Sequence, residues 1–167
     1  MNKQHIVDGI FTVLAHAEQQ LYPDAVILPN FPRSIQLDYY SCGAKSTYMV
    51  LKYFGKYLSH RSVEKQLRTT IAGTNRSDIK RILRMHGLIV QINTDMDMRD
   101  LKNAIKSGSP VLVSLYDHWH YGVVFGISST HVFVSNPSLG EMGSIKVAVN
   151  KSEWRDMFDR WGLIISR

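Results

Sequence analysis

The feature that most restricts the fold is a change of hydrophobic period at Pro110. Before it, apolar residues recur at helical spacing. They are Ile6, Ile10, Val13, Leu14 and Ala17 within residues 3–20, then Tyr48, Leu51 and Phe54 in the run from Ala44, Val63 and Leu67 between Ser62 and Thr70, Ile79, Ile82 and Leu83 between Ser77 and His86, and Met98, Leu101, Ala104 and Ile105 ahead of Gly108. One strand, Leu88 to Ile92, is expected among these helices. After Pro110 come VLVSLY, HYGVVFGI, THVFVSN and SIKVAVN, strand-like runs parted by Gly, Ser, Asp and Asn, as antiparallel neighbours are. Trp154, Met157, Phe158 and Trp161 predict a last amphipathic helix before the short apolar run Leu163 to Ile165. Helices first and sheet second predict an α+β domain, a helical lobe packed on an antiparallel sheet.

The 167 residues fit one domain. Pro23, Pro29 and Pro32 make Tyr22 to Arg33 an extended connector, so residues 1–33 read as an N-terminal helix and connector and 34–167 as the main domain. The single cysteine, Cys42, excludes an internal disulfide and with it the main reason to expect an oxidising compartment. Charged and polar residues break every apolar run of MNKQHIVDGIFTVLAHAEQQ, which is neither a signal peptide nor a membrane span, so a cytoplasmic location is expected. Formal charge is +6, and Gly43 to Gly87 holds ten Lys or Arg against Glu64 and Asp78, a local +8. No aromatic-basic motif accompanies it, so a solvated helical surface is expected rather than a nucleic-acid site. Such a surface would still attract an acidic peptide.

Cys42 opens the most apolar helical run. A thiol becomes a useful nucleophile when its pKa falls, and a helix start with a nearby imidazole are the usual means. Gln36 lies six residues upstream, close enough to place an amide beside the sulfur as an oxyanion donor. Of the seven histidines, His118 and His120 in DHWHYG stand at the mouth of a strand, where a side chain can be aimed into a cleft between lobes. Asn136 ends the next strand ahead of Pro137 and is the candidate to hold the imidazole of His120 by its other nitrogen. Read singly, Cys42 is a small core residue, Asn136 a turn residue, and Trp119 and Tyr121 packing. His118, His120 and Cys42 could also serve zinc, but the chain offers neither a fourth ligand nor a Cys pair, and no metal or cofactor is expected.

Taken together, Gln36, the SCGA segment with its helix and Gly55, His120 before an apolar strand, and a strand ending in NPSLG resemble the papain-like, double-glycine leader peptidases, best known as peptidase domains of bacterial ABC exporters. The spacings of 78 residues from Cys42 to His120 and 16 from His120 to Asn136 fit that family. So do Gly73, the segment Leu101 to Pro110 and the ending Phe158 to Gly162. The resemblance implies a papain-like fold over most of residues 34–162, with Cys42 as nucleophile, His120 as base, Asn136 orienting it and Gln36 in the oxyanion hole. The chain departs from the family at Asn136, where Asp is usual, and at Ser41, where Asp commonly precedes the cysteine. With Trp119 and Tyr121, Ser41 is a candidate for substrate contact. No transmembrane segment follows, so a transporter-coupled role is not expected from this chain. The expected activity is that of a cysteine peptidase cutting after small residues such as Gly-Gly in a peptide or protein substrate, drawn in by an acidic leader. Glutamine deamidation and transglutamination pass through the same thioester, and a module that binds a peptide without cutting it is the alternative outside catalysis. The oligomeric state is left open.

Overall fold

The structure, a computed structural model, describes residues 20–138 and 148–167. The helix expected over 3–20 and most of SIKVAVN lie outside the described residues.

A short strand, β1 (Val26–Ile27), precedes three helices, α1 (Cys42–Tyr53), α2 (His60–Leu67) and α3 (Arg76–Met85). The strand β2 (Ile89–Asn93) and the helix α4 (Met98–Lys106) follow. Then come β3 (Val111–Leu115), β4 (His120–Ile127), β5 (His131–Ser135), β6 (Ala148–Asn150), α5 (Lys151–Met157) and β7 (Phe158–Ser166). The α+β reading holds. Helix α1 is buried on most sides, and Ala44, Met49, Val50 and Leu51 have no exposed surface; burial of each large side chain among them contributes about 1.5–3 kcal/mol. Local chemistry sets the other boundaries. The Ser59 side chain accepts the Ser62 N–H at the start of α2, Asp97 and Asp100 form a capping box on α4, and Gly87 leaves α3 with a left-handed φ of 80°.

The strands form one antiparallel sheet in the order β2-β7-β3-β4-β5-β6, with β1 paired to β4. Helix α1 packs across β4, so its first residue meets the start of that strand. Two expectations change. The helix predicted to run through Trp161 stops at Met157, and Phe158 begins a nine-residue strand between β2 and β3. Helical spacing from Trp154 to Trp161 competes there with the alternation of Trp161, Leu163 and Ile165, all buried, and the two flanking strands decide it. A Cβ on Gly162 would stand 2.9 Å from Met96 Cε and 3.0 Å from Val111 Cγ1, so the bare backbone is what lets β7 sit so deep. The proline-rich segment is also more than a connector: Val26 and Ile27 pair with Ile127 and Gly126, and Phe31 stacks on Phe125 with their planes 6° apart.

Candidate active site

Cys42 is the first residue of α1 and is 6% exposed. The four N–H groups that open a helix have no partner within it, and a capping side chain usually takes one of them. Here the cap residue Ser41 makes no such bond. Its hydroxyl and its N–H both go to Asp38, at 2.8 and 2.7 Å, and Asp38 also accepts the Tyr40 N–H at 2.9 Å. The backbone N–H groups that open the helix at Cys42 and Gly43 are thereby left without a side-chain cap beside the sulfur. Gly43 is required by space: a Cβ there would fall 2.8 Å from Thr74 Cβ and 3.1 Å from the Tyr121 ring.

Tyr121 follows His120 and lines one cavity with Cys42, so the start of β4 lies against the helix start. His120 is 3% exposed. Its Nε2 lies 2.6 Å from Asn136 Oδ1, and Oδ1 also accepts the Ser138 N–H at 3.0 Å. An amide oxygen can only accept, so Nε2 carries the ring proton and Nδ1 the lone pair. The Ser138 hydroxyl stands 3.3 Å from the same Nε2. Burial pushes the Cys42 thiol above its ordinary value, against the pull of the Tyr121, Gly43 and Cys42 N–H groups. It also pushes His120 below its ordinary value, against the Asn136 bond. The expected low thiol pKa is therefore absent at rest, because the desolvation of a closed interior outweighs the helix start.

Gln36 is 5% exposed and is tied to the Asn136 turn by its own N–H, 2.7 Å from Pro137 O. Its Nε2 donates to Asp38 O at 2.7 Å, while its Oε1 is buried with no partner among the described residues. One hydrogen of the amide remains for a substrate oxygen. A cavity of about 590 Å³ opens over Cys42, walled by Tyr39, Ile71, Thr74, Trp119 and Tyr121. Trp119 is 85% exposed. Ser41 is fully buried and spends its polar groups on Asp38, so it is not brought to the cavity. His118 lines the cavity, but its Nδ1 faces Arg76 at 2.8 Å and Asp159 Oδ2 at 3.1 Å, apart from the bond that holds His120. Among the described residues no group of three His, Cys, Asp or Glu could hold a metal ion.

The same lobes occur in solved structures. A double glycine motif protease from an AMS/PCAT transporter, solved in complex with the leader peptide, superposes with a TM-score of 0.67 at 22% identity, over 80% of this chain and 89% of that one. The peptidase domain of Streptococcus ComA, a bifunctional ABC transporter of a quorum-sensing pathway, gives 0.69 at 18% identity over 81% and 98%. A C39-like peptidase from Bacillus anthracis gives 0.69 at 14% identity over 86% and 98%. The fold is papain-like. A sequence model of the Peptidase C39 family matches residues 30–166, and the chain belongs to that family of cysteine peptidases. It is also 29% identical over 121 residues to the lactococcin-A transport/processing ATP-binding protein LcnC of Lactococcus lactis, a match that takes in 71% of this chain and 17% of that protein's length.

Sequence reasoning missed Ser138, although it stands in the NPSLG segment, and Asp38, which frees the helix start. It also missed Arg76 and Asp159, whose partners lie 38 to 45 residues away.

Proposed function

We propose that Cys42, His120, Asn136 and Gln36 cleave a leader peptide after two small residues, in the manner of the double-glycine proteases. The observation that carries this is the buried 2.6 Å bond from His120 to Asn136 at the start of β4, where the next residue, Tyr121, walls the same cavity as Cys42. The sulfur attacks the scissile carbonyl carbon as its proton passes to His120 Nδ1, and the displaced π electrons settle on the carbonyl oxygen. That oxyanion is received by the Cys42 N–H and the remaining Gln36 N–H. Collapse expels the amine, which takes the proton from Nδ1 and leaves a thioester on Cys42. A water that gives one proton to His120 then releases the acid, and the proton returns to the sulfur. Burial raises the Cys42 thiol and lowers His120, so both shifts favour the neutral pair before substrate binds.

For the substrate, small residues before the cut are expected by likeness to the double glycine motif protease solved with its leader peptide. Exposed Arg61, Lys65, Arg68, Arg81 and Arg84 on α2 and α3 would draw an acidic leader to the helical lobe. The test is a peptide panel read by intact mass, with Gly-Gly or bulky pairs before the scissile bond. Cleavage confined to the small pairs and lost in Cys42→Ala is expected. Ammonia released from glutamine without chain cleavage would replace this reading with deamidation.

A further inference from the structure

The strand that begins at His120 is entered through three consecutive non-glycine residues in the left-handed region, Tyr116, Asp117 and His118, with φ of 54°, 54° and 72°. Each such residue is disfavoured and persists only where its surroundings over-determine it. Tyr116 is held by backbone, its N–H on Met157 O at 2.9 Å and its carbonyl under the Trp119 N–H at 3.2 Å, and the other two residues by one carboxylate. Asp159, with its side chain 8% exposed, accepts the Asp117 N–H at 2.9 Å on Oδ1, and the His118 N–H at 2.8 Å and the Ser114 hydroxyl at 2.7 Å on Oδ2. The β3–β7 register shifts between Val113 and Leu115, and Arg160 takes a φ of 58°. This bulge is what lets Asp159 meet Ser114 and the loop. From the other lobe, Arg76 at the head of α3 donates to Ser114 Oγ at 3.1 Å, stands 2.8 Å from His118 Nδ1 and lies 4.2 Å over the Trp161 ring. Nδ1 of His118 takes the Arg76 hydrogen when it bears no proton and turns to Asp159 when it does.

We infer that Asp159, with Arg76 across the cleft, is a positioning residue that fixes the angle at which the loop sets Trp119 on the cavity wall and enters β4 at His120; this rests on the peptidase reading above. Neither side chain is assigned a bond to the reacting atoms. Their effect passes through the loop, since Trp119 ends it on the cavity wall and His120 follows directly. A catalytic group displaced by about 1 Å can lose on the order of 100-fold in rate.

The experiment compares wild type with Asp159→Ala, and with Asp159→Asn and Arg76→Lys as milder variants should the first not fold. Amide hydrogen exchange at Asp117 and His118 reads the latch, thermal unfolding reads the fold, and kcat and KM per titrated Cys42 read the site. Expected are faster exchange confined to the loop, KM raised, and kcat/KM lowered roughly 10- to 100-fold per titrated thiol, with Asp159→Asn in between. Unchanged kcat and KM per titrated thiol despite faster exchange would overturn the inference, as would unchanged exchange. Should wild type cleave none of the peptides, the peptidase reading fails by itself. The inference is then judged by Cys42 alkylation with iodoacetamide, where a rate shifted at least about threefold by Asp159→Asn supports it and an unshifted rate overturns it.

Discussion

The two walls of the cleft hold their reactive groups by different means. On the helix wall, Cys42 lies among backbone donors, its own N–H and that of Gly43, left without a side-chain cap because Ser41 is engaged by Asp38. On the sheet wall, His120 is held by side chains, first Asn136 and then Ser138. Backbone donors cannot be deleted by substitution, whereas a side-chain acceptor can be removed or exchanged one atom at a time. Substitution should therefore act as all or none on the helix wall and by degrees on the sheet wall behind His120.

The largest effect tests the reacting pair. Cys42→Ala and His120→Ala should each reduce turnover to background, a loss on the order of 10⁶ by the precedent of triad enzymes. His118→Ala should retain most activity, and equal loss from both histidines would break the division drawn here. Gln36→Ala, the one replaceable donor on the helix wall, should lower kcat by roughly 10² to 10³ with little change in KM. Next comes the graded arm. Asn136→Ala should lower kcat roughly 10- to 100-fold, the worth of a hydrogen bond to a group that becomes charged, and Asn136→Asp should lose far less because its oxygen still accepts the Nε2 proton. Wild-type activity in Asn136→Ala would assign the orienting role elsewhere, with Ser138 the first candidate.

The smallest effect is one of pH. The Cys42 pKa is raised by burial, so iodoacetamide alkylation of the resting protein should climb only through the alkaline range, where the thiolate forms. His120 is lowered by burial, so the acid limb of kcat/KM should lie below the usual histidine value, the imidazole staying neutral to lower pH. An alkylation rate already on a plateau at neutral pH would show a thiolate at rest. It would make the helix wall stronger than its burial allows.

Linkage of the same kind applies outside the cleft. Burial, with Lys45 adding to it, holds the half-buried His60 down to about 4. A depressed pKa means that the folded state binds fewer protons, so its contribution to stability is present above the ordinary histidine value and is lost as pH falls from there towards 4. His60→Phe should flatten the dependence of unfolding midpoint on pH over that window.

The periods on either side of Pro110 made most of the architecture legible, because helix and strand faces that pack on one core must repeat in the chain. The candidate site was legible for a related reason: Cys42, His120 and Asn136 sit at element ends, which sequence marks with Gly, Pro and the break of period. What stayed hidden was set by partners far along the chain. Whether Phe158 to Trp161 coils or extends depends on pairing with β3, and Trp161 fits the helical spacing behind it as well as the alternation ahead of it. Asp159 and Arg76 read as ordinary surface charges until a bulge and a helix start bring them to one loop. Ser41 was misplaced because chain position next to Cys42 says nothing of direction, and its neighbour Asp38 turns it inward.

The pairing of Val26 and Ile27 with the end of β4 bears on how the domain can be cut. β3 reaches only as far as Val124, and the next residues along that edge are covered by β1, with the Leu28 N–H on Phe125 O at 2.8 Å. A protein trimmed to begin at residue 30, where the family match starts, would keep every candidate catalytic group but leave that edge bare. Unpaired edge strands recruit one another. A shortened form of this peptidase should therefore be prone to self-association through the end of the sheet furthest from His120, and the few residues ahead of Pro29 serve as its guard against aggregation.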